Sequence, residues 1–426
     1  MKWIAALLAL QVVCLAQNLD AIVAKETAAI EQKLIDTRRD LHMHPELSDQ
    51  EKRTSKVIED RLRALGFDEV KTGVARNGVV GVLKGAKPGP VVAWRADMDA
   101  LPIDESNFNV PYKSTVKGVK HACGHDAHVT VALGVAEVLS KMRKQLPGTV
   151  KFIFQPAEEG VATAEAGGAL MVKQGVLQNP KVDAIFAFHA SPMIDAGKVG
   201  YAIGPFLASV DSVDITIKGK KSHAARPEEG VDALLLAAQC VNMLQTIHSR
   251  RINTIEPSVL SIGTINGGDR SNVVADLVKM EGTLRTYSEA TREAYRTYVK
   301  QTLQGCTSQM GGGFELNWIE PSYPATLNPE ALTRAALPSL ERVLGAGMVK
   351  QMAPQMGAED FSYFQHEIPG VMMWLGVANE AKGMTSGLHT ADFDVDEAAL
   401  AVGVKAASAI LLDYLQKPTS SPAASR

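Results

Sequence analysis

Three short apolar runs constrain this chain more than any other feature, because each stops at side chains that can bind a metal or move a proton. Val91–Trp94 leads into Arg95-Ala96-Asp97-Met98-Asp99, Val150–Phe154 into Gln155-Pro156-Ala157-Glu158-Glu159-Gly160, and Ala184–Phe188 ends at His189. Runs of this length read as strands, and a further one spans Gly78–Lys84. From Asp126 the apolar period becomes helical, through Val129, Ala132, Leu133, Ala136 and Leu139. Strand and helix then alternate, which predicts an α/β domain with a mainly parallel core sheet. In such a sheet ligands bind beyond the carboxyl ends of the strands, where all these polar residues fall.

The texture changes after Gly204. An alternating strand at Ser212–Lys218, a helix at Gly230–His248, strands at Ser258–Ile265 and Leu277–Thr286, a helix from Glu289 to Met310 and a strand at Phe314–Glu320 give the order βαββαβ. That is a ferredoxin-like α+β unit. Lying between two stretches of α/β type, it reads as an insertion. The expected organisation is a discontinuous catalytic domain over 18–205 and 321–416, an inserted domain over 206–320 and a loose Pro/Ser/Ala-rich tail over 417–426.

Composition sets outer limits. With 426 residues, 46% of them hydrophobic, the chain has ample material for two cores. A net charge of −3 lacks the basic footprint of a nucleic-acid partner. Lys2 followed by an apolar run through Leu15, with the small Ala16 as cleavage residue, reads as a signal peptide over 1–16, hence an exported protein, periplasmic or secreted. No later stretch reaches the roughly 18 uninterrupted apolar residues of a membrane span, so none is expected.

The densest chemistry is His121-Ala122-Cys123-Gly124-His125-Asp126-Ala127-His128. A Cys and a His two residues apart can reach one ion, and Gly124 lets the backbone bend between them. Of the adjacent Glu158 and Glu159, one can coordinate while the other takes a proton from activated water. Cys123, His125, Glu159, His189 and the distant His389 make five potential ligands, more than one tetrahedral ion with an open position needs. A thiolate can bridge two ions, so a dinuclear site is the economical reading.

As a set the motifs resemble the amidohydrolase branch of the aminoacylase/carboxypeptidase family of dinuclear metallohydrolases, which includes hippurate hydrolases, auxin-conjugate hydrolases and N-acetyl-diaminopimelate deacetylases. The matching stretches are Leu41-His42-Met43-His44-Pro45-Glu46-Leu47, Trp94–Pro102, His121–His128, Gln155–Gly160, Ser222-His223-Ala224-Ala225-Arg226-Pro227, Asn272–Asp276, Gly282–Thr286, Gly357–Phe361 and Gly387-Leu388-His389. The resemblance implies a phosphorylase/hydrolase-like zinc-peptidase catalytic domain, of α/β class, with an inserted ferredoxin-like lid or dimerisation domain, and a homodimer formed through it. It implies two divalent ions per subunit, Zn or Mn with Co or Ni possible by ligand chemistry. Cys123 would bridge them, His125, Glu159, His189 and His389 would complete the ligands, and Glu158 would be the general base.

Asp99 is expected to orient a ligand, while Asp97 stands where peptidase branches carry a His. His223 is the candidate donor to the oxyanion, and Asn272 and Arg285 are candidates for holding a substrate carboxylate. The expected substrate is an N-acyl amino acid or short peptide, cleaved at its amide. The rival readings are an exported dipeptidase or aminopeptidase of the same family and a binding protein without turnover, the latter opposed by the intact Glu158. With Cys123 assigned to metal, Cys240 and Cys306 remain as the one candidate pair.

Overall fold

The computed structural model describes residues 18–106, 108–160 and 165–416. The expected signal peptide and C-terminal tail lie outside the described residues. The described residues divide into two compact units: 18–204 with Asn328–Ala353 and 363–416, and Pro205–Leu327 with Pro354–Ser362. Against the expected limits of 206–320, the last strand of the insertion, Gly313–Tyr323, runs past residue 320, and a short later segment joins the same unit.

The first unit is built on an eight-stranded sheet. Its order is Glu69–Val74, Gly78–Lys84, Pro147–Gln155, Lys87–Asp97, Ala184–Asp195, Gly370–Ala378, Val199–Tyr201 and Val349–Gln351. The four central strands, Pro147–Gln155 through Gly370–Ala378, are mutually parallel, whereas the Gly78–Lys84 side is antiparallel. Parallel strands buried on both faces read as continuous apolar runs, which is why these were legible. Strand Ala184–Asp195 does not end at His189. It continues through Ser191-Pro192-Met193 because Gly370–Ala378 pairs beside it, with Trp374 opposite His189.

Helix His125–Lys141 packs on strands Lys87–Asp97 and Ala184–Asp195. It is buried along almost its whole length. Helix Ala398–Leu415 crosses it closely: a Cβ at Gly134 would lie 2.5 Å from Val404 Cγ2, so any larger residue there would have to push the two helices apart. Ala398–Leu415 also bears on the expectation that no segment spans a membrane. It is long and apolar enough to cross a membrane by length and composition, but 67% of that window is buried inside the protein, the pattern of a core helix.

The second unit has a four-stranded antiparallel sheet in the order Ser258–Gly267, Leu277–Thr286, Val210–Lys218, Gly313–Tyr323. With helices Ala233–Arg250 and Glu289–Ser308 it has the ferredoxin-like topology. Val213, Ile215 and Ile217 alternate inward and meet Leu236, Leu244, Val299 and Leu303 from the helices. A disulfide joins the helices: Cys240 and Cys306 are bonded, with Cα atoms 5.6 Å apart and a sequence separation of 66. Closing a loop of that length restricts the unfolded chain, and Cys240→Ala with Cys306→Ala is expected to reduce stability by about 4 kcal/mol. Urea unfolding of the double variant checks this. An unchanged midpoint would mean that the bond adds nothing to the helix packing.

Candidate metal centre

The candidate ligands come from four segments of the first unit. Cys123 and His125 flank Gly124, whose φ of 92° starts helix His125–Lys141. A Cβ at Gly124 would sit 2.7 Å from the Ala190 Cβ, so only glycine can make this turn against the neighbouring strand. Strand Pro147–Gln155 ends just before Ala157, which takes the left-handed conformation at φ 51° and turns Glu158 and Glu159 back toward the His125 ring. His189 comes from the middle of its strand. His389 lies in a loop at φ 63°, and its backbone N–H donates to Ala122 O at 2.8 Å, tying it to the residue before Cys123.

These residues converge. The Cys123 Sγ lies 3.5 Å from His189 Nε2 and 3.3 Å from His389 Nε2. His389 Nε2 is also 3.3 Å from Glu159 Oε1. His125 Nε2 stands 3.9 Å from both Glu158 Oε2 and Glu159 Oε1. Two groupings of donor atoms, each compact enough for one ion, share the thiol: Cys123, His125 and His189 in one, Cys123, Glu159 and His389 in the other.

The ring nitrogens facing this space are prepared to be lone pairs. His125 Nδ1 donates to the Asp99 carbonyl at 2.9 Å, and the Asp99 carboxylate lies 3.2 Å away. A carbonyl only accepts, so the proton is on Nδ1 and Nε2 is left toward the centre, buried and without a hydrogen-bond partner. His189 Nδ1 donates to Ala190 O at 2.8 Å with the same result. An orphaned imidazole nitrogen aimed into a group of thiol and carboxylates fits a cation. Charge agrees with a cation here: burial alone would lower the pKa of His125, but Asp97, Asp99 and Glu159 outweigh it and push the ring up to about 10, so without an ion the ring draws a proton onto Nε2, where a bound cation would replace it. Burial, with His128 nearby, takes His189 down to about 3, so it stays neutral.

Asp99 thus faces His125 through its carbonyl and Oδ1, while its other oxygen accepts from Ser48 Oγ at 2.7 Å and from Glu159 N–H at 3.0 Å. Asp97 has a different part. It accepts from His128 Nδ1 at 2.5 Å and from Arg95 at 2.6 Å, and His128 Nε2 in turn accepts the Ala190 N–H at 2.7 Å. Both His128 nitrogens are thus used, and the Asp97–His128 pair braces the backbone beside His189.

Behind the centre lies a buried ionic group of which the sequence signals only His42, in its His-Met-His-Pro-Glu motif, and Asp126, in the His121–His128 stretch. Arg38 pairs with Asp126 at 2.8 Å and Asp394 at 2.7 Å, His42 with Glu105 at 3.0 Å, and Lys120 with Glu105 at 2.8 Å. Lys120 Nζ also donates to Ala391 O, so the group fixes Asp126, next to His125, and the loop that carries His389. Glu51 was likewise not singled out from sequence. It is fully buried and accepts the Ala157 N–H at 2.9 Å.

His223, Asn272 and Arg285 belong to the second unit. His223 pairs with Val273 in a two-residue ladder, and Ala224 N–H donates to Asn272 O at 3.1 Å, so His223 and Asn272 are brought together. Arg285 is on another strand, opposite Val259, half-buried, and no hydrogen bond among the described residues links it to them.

A model of peptidase family M20/M25/M40 matches residues 93–413. The chain belongs to this family. It is 38% identical to N-acetylcysteine deacetylase of Bacillus subtilis (strain 168), over 88% of this chain and 94% of that protein. It is 36% identical to IAA-amino acid hydrolase ILR1-like 2 of Arabidopsis thaliana, over 93% and 92%. Among solved structures it resembles the YXEP protein of Bacillus subtilis, described as a dinuclear metal-binding peptidase of the M20 family, with a TM-score of 0.78, 36% identity and coverage of 91% and 99%. The chain is a hydrolytic enzyme acting on amide bonds.

Proposed function

We propose that this family member is an exported amidohydrolase that cleaves the amide bond of N-acyl amino acids. In this reading Cys123, His125, Glu159, His189 and His389 hold two divalent ions, and Glu158 is the general base. The observation that carries it is the Cys123 thiol, set between Nε2 of His189 and Nε2 of His389 and shared by two ligand groups. The names of the similar deacetylase and IAA-amino acid hydrolase support the substrate class. Cys, His and carboxylate together suit Zn or Mn, with Co or Ni also compatible.

When bound, the ions supply Lewis-acid polarisation of the scissile carbonyl and acidify the attacking water. Glu158 removes the proton of that water and delivers it to the leaving nitrogen. Asp99 keeps His125 in the tautomer that leaves Nε2 toward the ions, and Glu159, held by its own N–H to Asp99, stays a ligand and not a base. The roles of His223 as oxyanion donor and of Asn272 and Arg285 in holding the substrate carboxylate rest on the motifs that carry them.

Export is supported by the apolar run after Lys2 and by the Cys240–Cys306 disulfide, a bond that persists in oxidising compartments. Homodimerisation through the inserted unit is supported by its edge strand Ser258–Gly267, where Val259 and Ile265 are exposed, and by exposed Leu234, Leu235 and Met243 on helix Ala233–Arg250.

A substrate panel tests the reading. Purified protein supplied with Mn or Zn is expected to hydrolyse hippurate and N-acetyl amino acids faster than dipeptides with a free N-terminus. The similarity to thermostable carboxypeptidase 1 of Saccharolobus solfataricus, at 37% identity over 91% of this chain and 97% of that protein, makes blocked peptides a useful third arm. A clear preference for the free dipeptides would overturn the proposal.

A further inference from the structure

We propose that Glu51 is a positioning residue for hydrolysis: by accepting the Ala157 N–H, its carboxylate holds the turn that aims Glu158 and Glu159. The inference rests on the reading of Glu158 as the base and adds a residue from a distant segment to it. Ala157 is the pivot of that turn. Its left-handed backbone costs an L-residue about 1–2 kcal/mol, so the conformation persists only where surrounding contacts impose it.

Those contacts are few and specific. Gly167 N–H donates to Ala157 O at 3.1 Å, and Glu159 N–H donates to Asp99 Oδ2 at 3.0 Å. The Ala157 N–H is taken by Glu51 Oε1 at 2.9 Å. Of the three, only Glu51 grips the pivot residue through a side chain. Glu51 stands at the start of helix Lys52–Ala64, yet its side chain does not cap that helix. Instead the carboxylate faces the carboxyl end of the sheet, with Oε2 accepting Asn77 Nδ2 at 2.9 Å, and the Ser55 hydroxyl donates to the Asn77 carbonyl. Among the described residues no cation lies within ion-pair distance of it, so its two oxygens are committed to these donors. Burial, then the Asp99 carboxylate, push this acid up to about 7, so a group of this kind placed here is a costly way to fix a loop. Its return is the placement of Glu158, where a displacement of about 1 Å can cost on the order of a hundredfold in rate.

Position and charge can be separated. Glu51→Asp keeps the charge but withdraws the acceptor by one methylene. Glu51→Gln loses the charge but still offers an oxygen to the Ala157 N–H, since Asn77 can turn its amide to present its own oxygen to the new NH₂. On whichever amide substrate the enzyme turns over best, Glu51→Asp is expected to lower kcat about 10- to 100-fold, with KM within about twofold and metal content unchanged. Glu51→Gln is expected to stay within about threefold of the parent in kcat. Adding Ala157→Gly to Glu51→Asp should recover about tenfold, because glycine takes the left-handed turn without the side-chain penalty.

An active Asp variant beside an inactive Gln variant would overturn the proposal, since charge and not reach would then matter. A loss of kcat that Ala157→Gly does not relieve, or that follows loss of metal, would overturn it as well. Glu158→Gln measured alongside reports on the base itself. Because the readings are ratios on any working substrate, they fail independently of the substrate class.

Discussion

Glu158→Gln is expected to lower kcat by roughly 10²- to 10⁴-fold while leaving bound metal and KM near their parental values. The substitution keeps the shape of the side chain and removes its ability to carry a proton. Glu158 is buried at 7% exposure beside His125, and its neighbour Glu159 is the carboxylate tied by backbone to Asp99 and by side chain to His389. The two carboxylates thus differ in setting: Glu159 is held toward His389 and by its backbone to Asp99, and Glu158 lies beside His125. Steady-state kinetics with metal analysis of the same preparation checks this. Undiminished hydrolysis by the Gln variant would assign the base elsewhere, and a lost metal would make Glu158 a ligand.

Much of this candidate centre was legible in the sequence, because its residues are metal-binding types clustered in short motifs or following apolar runs. The Cys123-Gly124-His125 turn needs no long-range information: a residue that must bend the chain lies between two that must face one way. The same holds for Glu158 and Glu159 after Val150–Phe154. Strand Glu69–Val74 was not legible, since it lies at the sheet edge with most of its residues exposed and so lacks an apolar alternation to betray it. Nor was the length of the strand carrying His189, because Pro192 reads as a stop and only the neighbouring strand shows that pairing continues past it. The parts of Asp97, His128 and Glu51 were hidden for a further reason. Each depends on a backbone N–H of a residue far away in sequence, Ala190 for the Asp97–His128 pair and Ala157 for Glu51, and no local pattern encodes such a partner.

Cys123→Ser is the sharper test of two ions against one. The thiol belongs to both ligand groups, so its loss should strip both ions, taking metal content from about two per chain to near zero at micromolar free metal. His189→Ala and His389→Ala each damage a single group and should leave about one ion. Protons provide an independent readout. Burial, then the carboxylates of Glu159 and Glu158, hold the Cys123 thiol well above its ordinary pKa, so the metal-free site keeps its proton. Binding must expel it, and metal affinity should weaken as pH falls and strengthen as pH rises. Serine has no proton that neutral pH can release, so the variant should lose this contribution to proton release as well as its metal. Elemental analysis and calorimetric titration in buffers of different ionisation enthalpy give both numbers. If Cys123→Ser keeps about two ions, or if it loses only the ion lost by one of the histidine variants, the thiol does not bridge, and the two groups must be held by separate ligands.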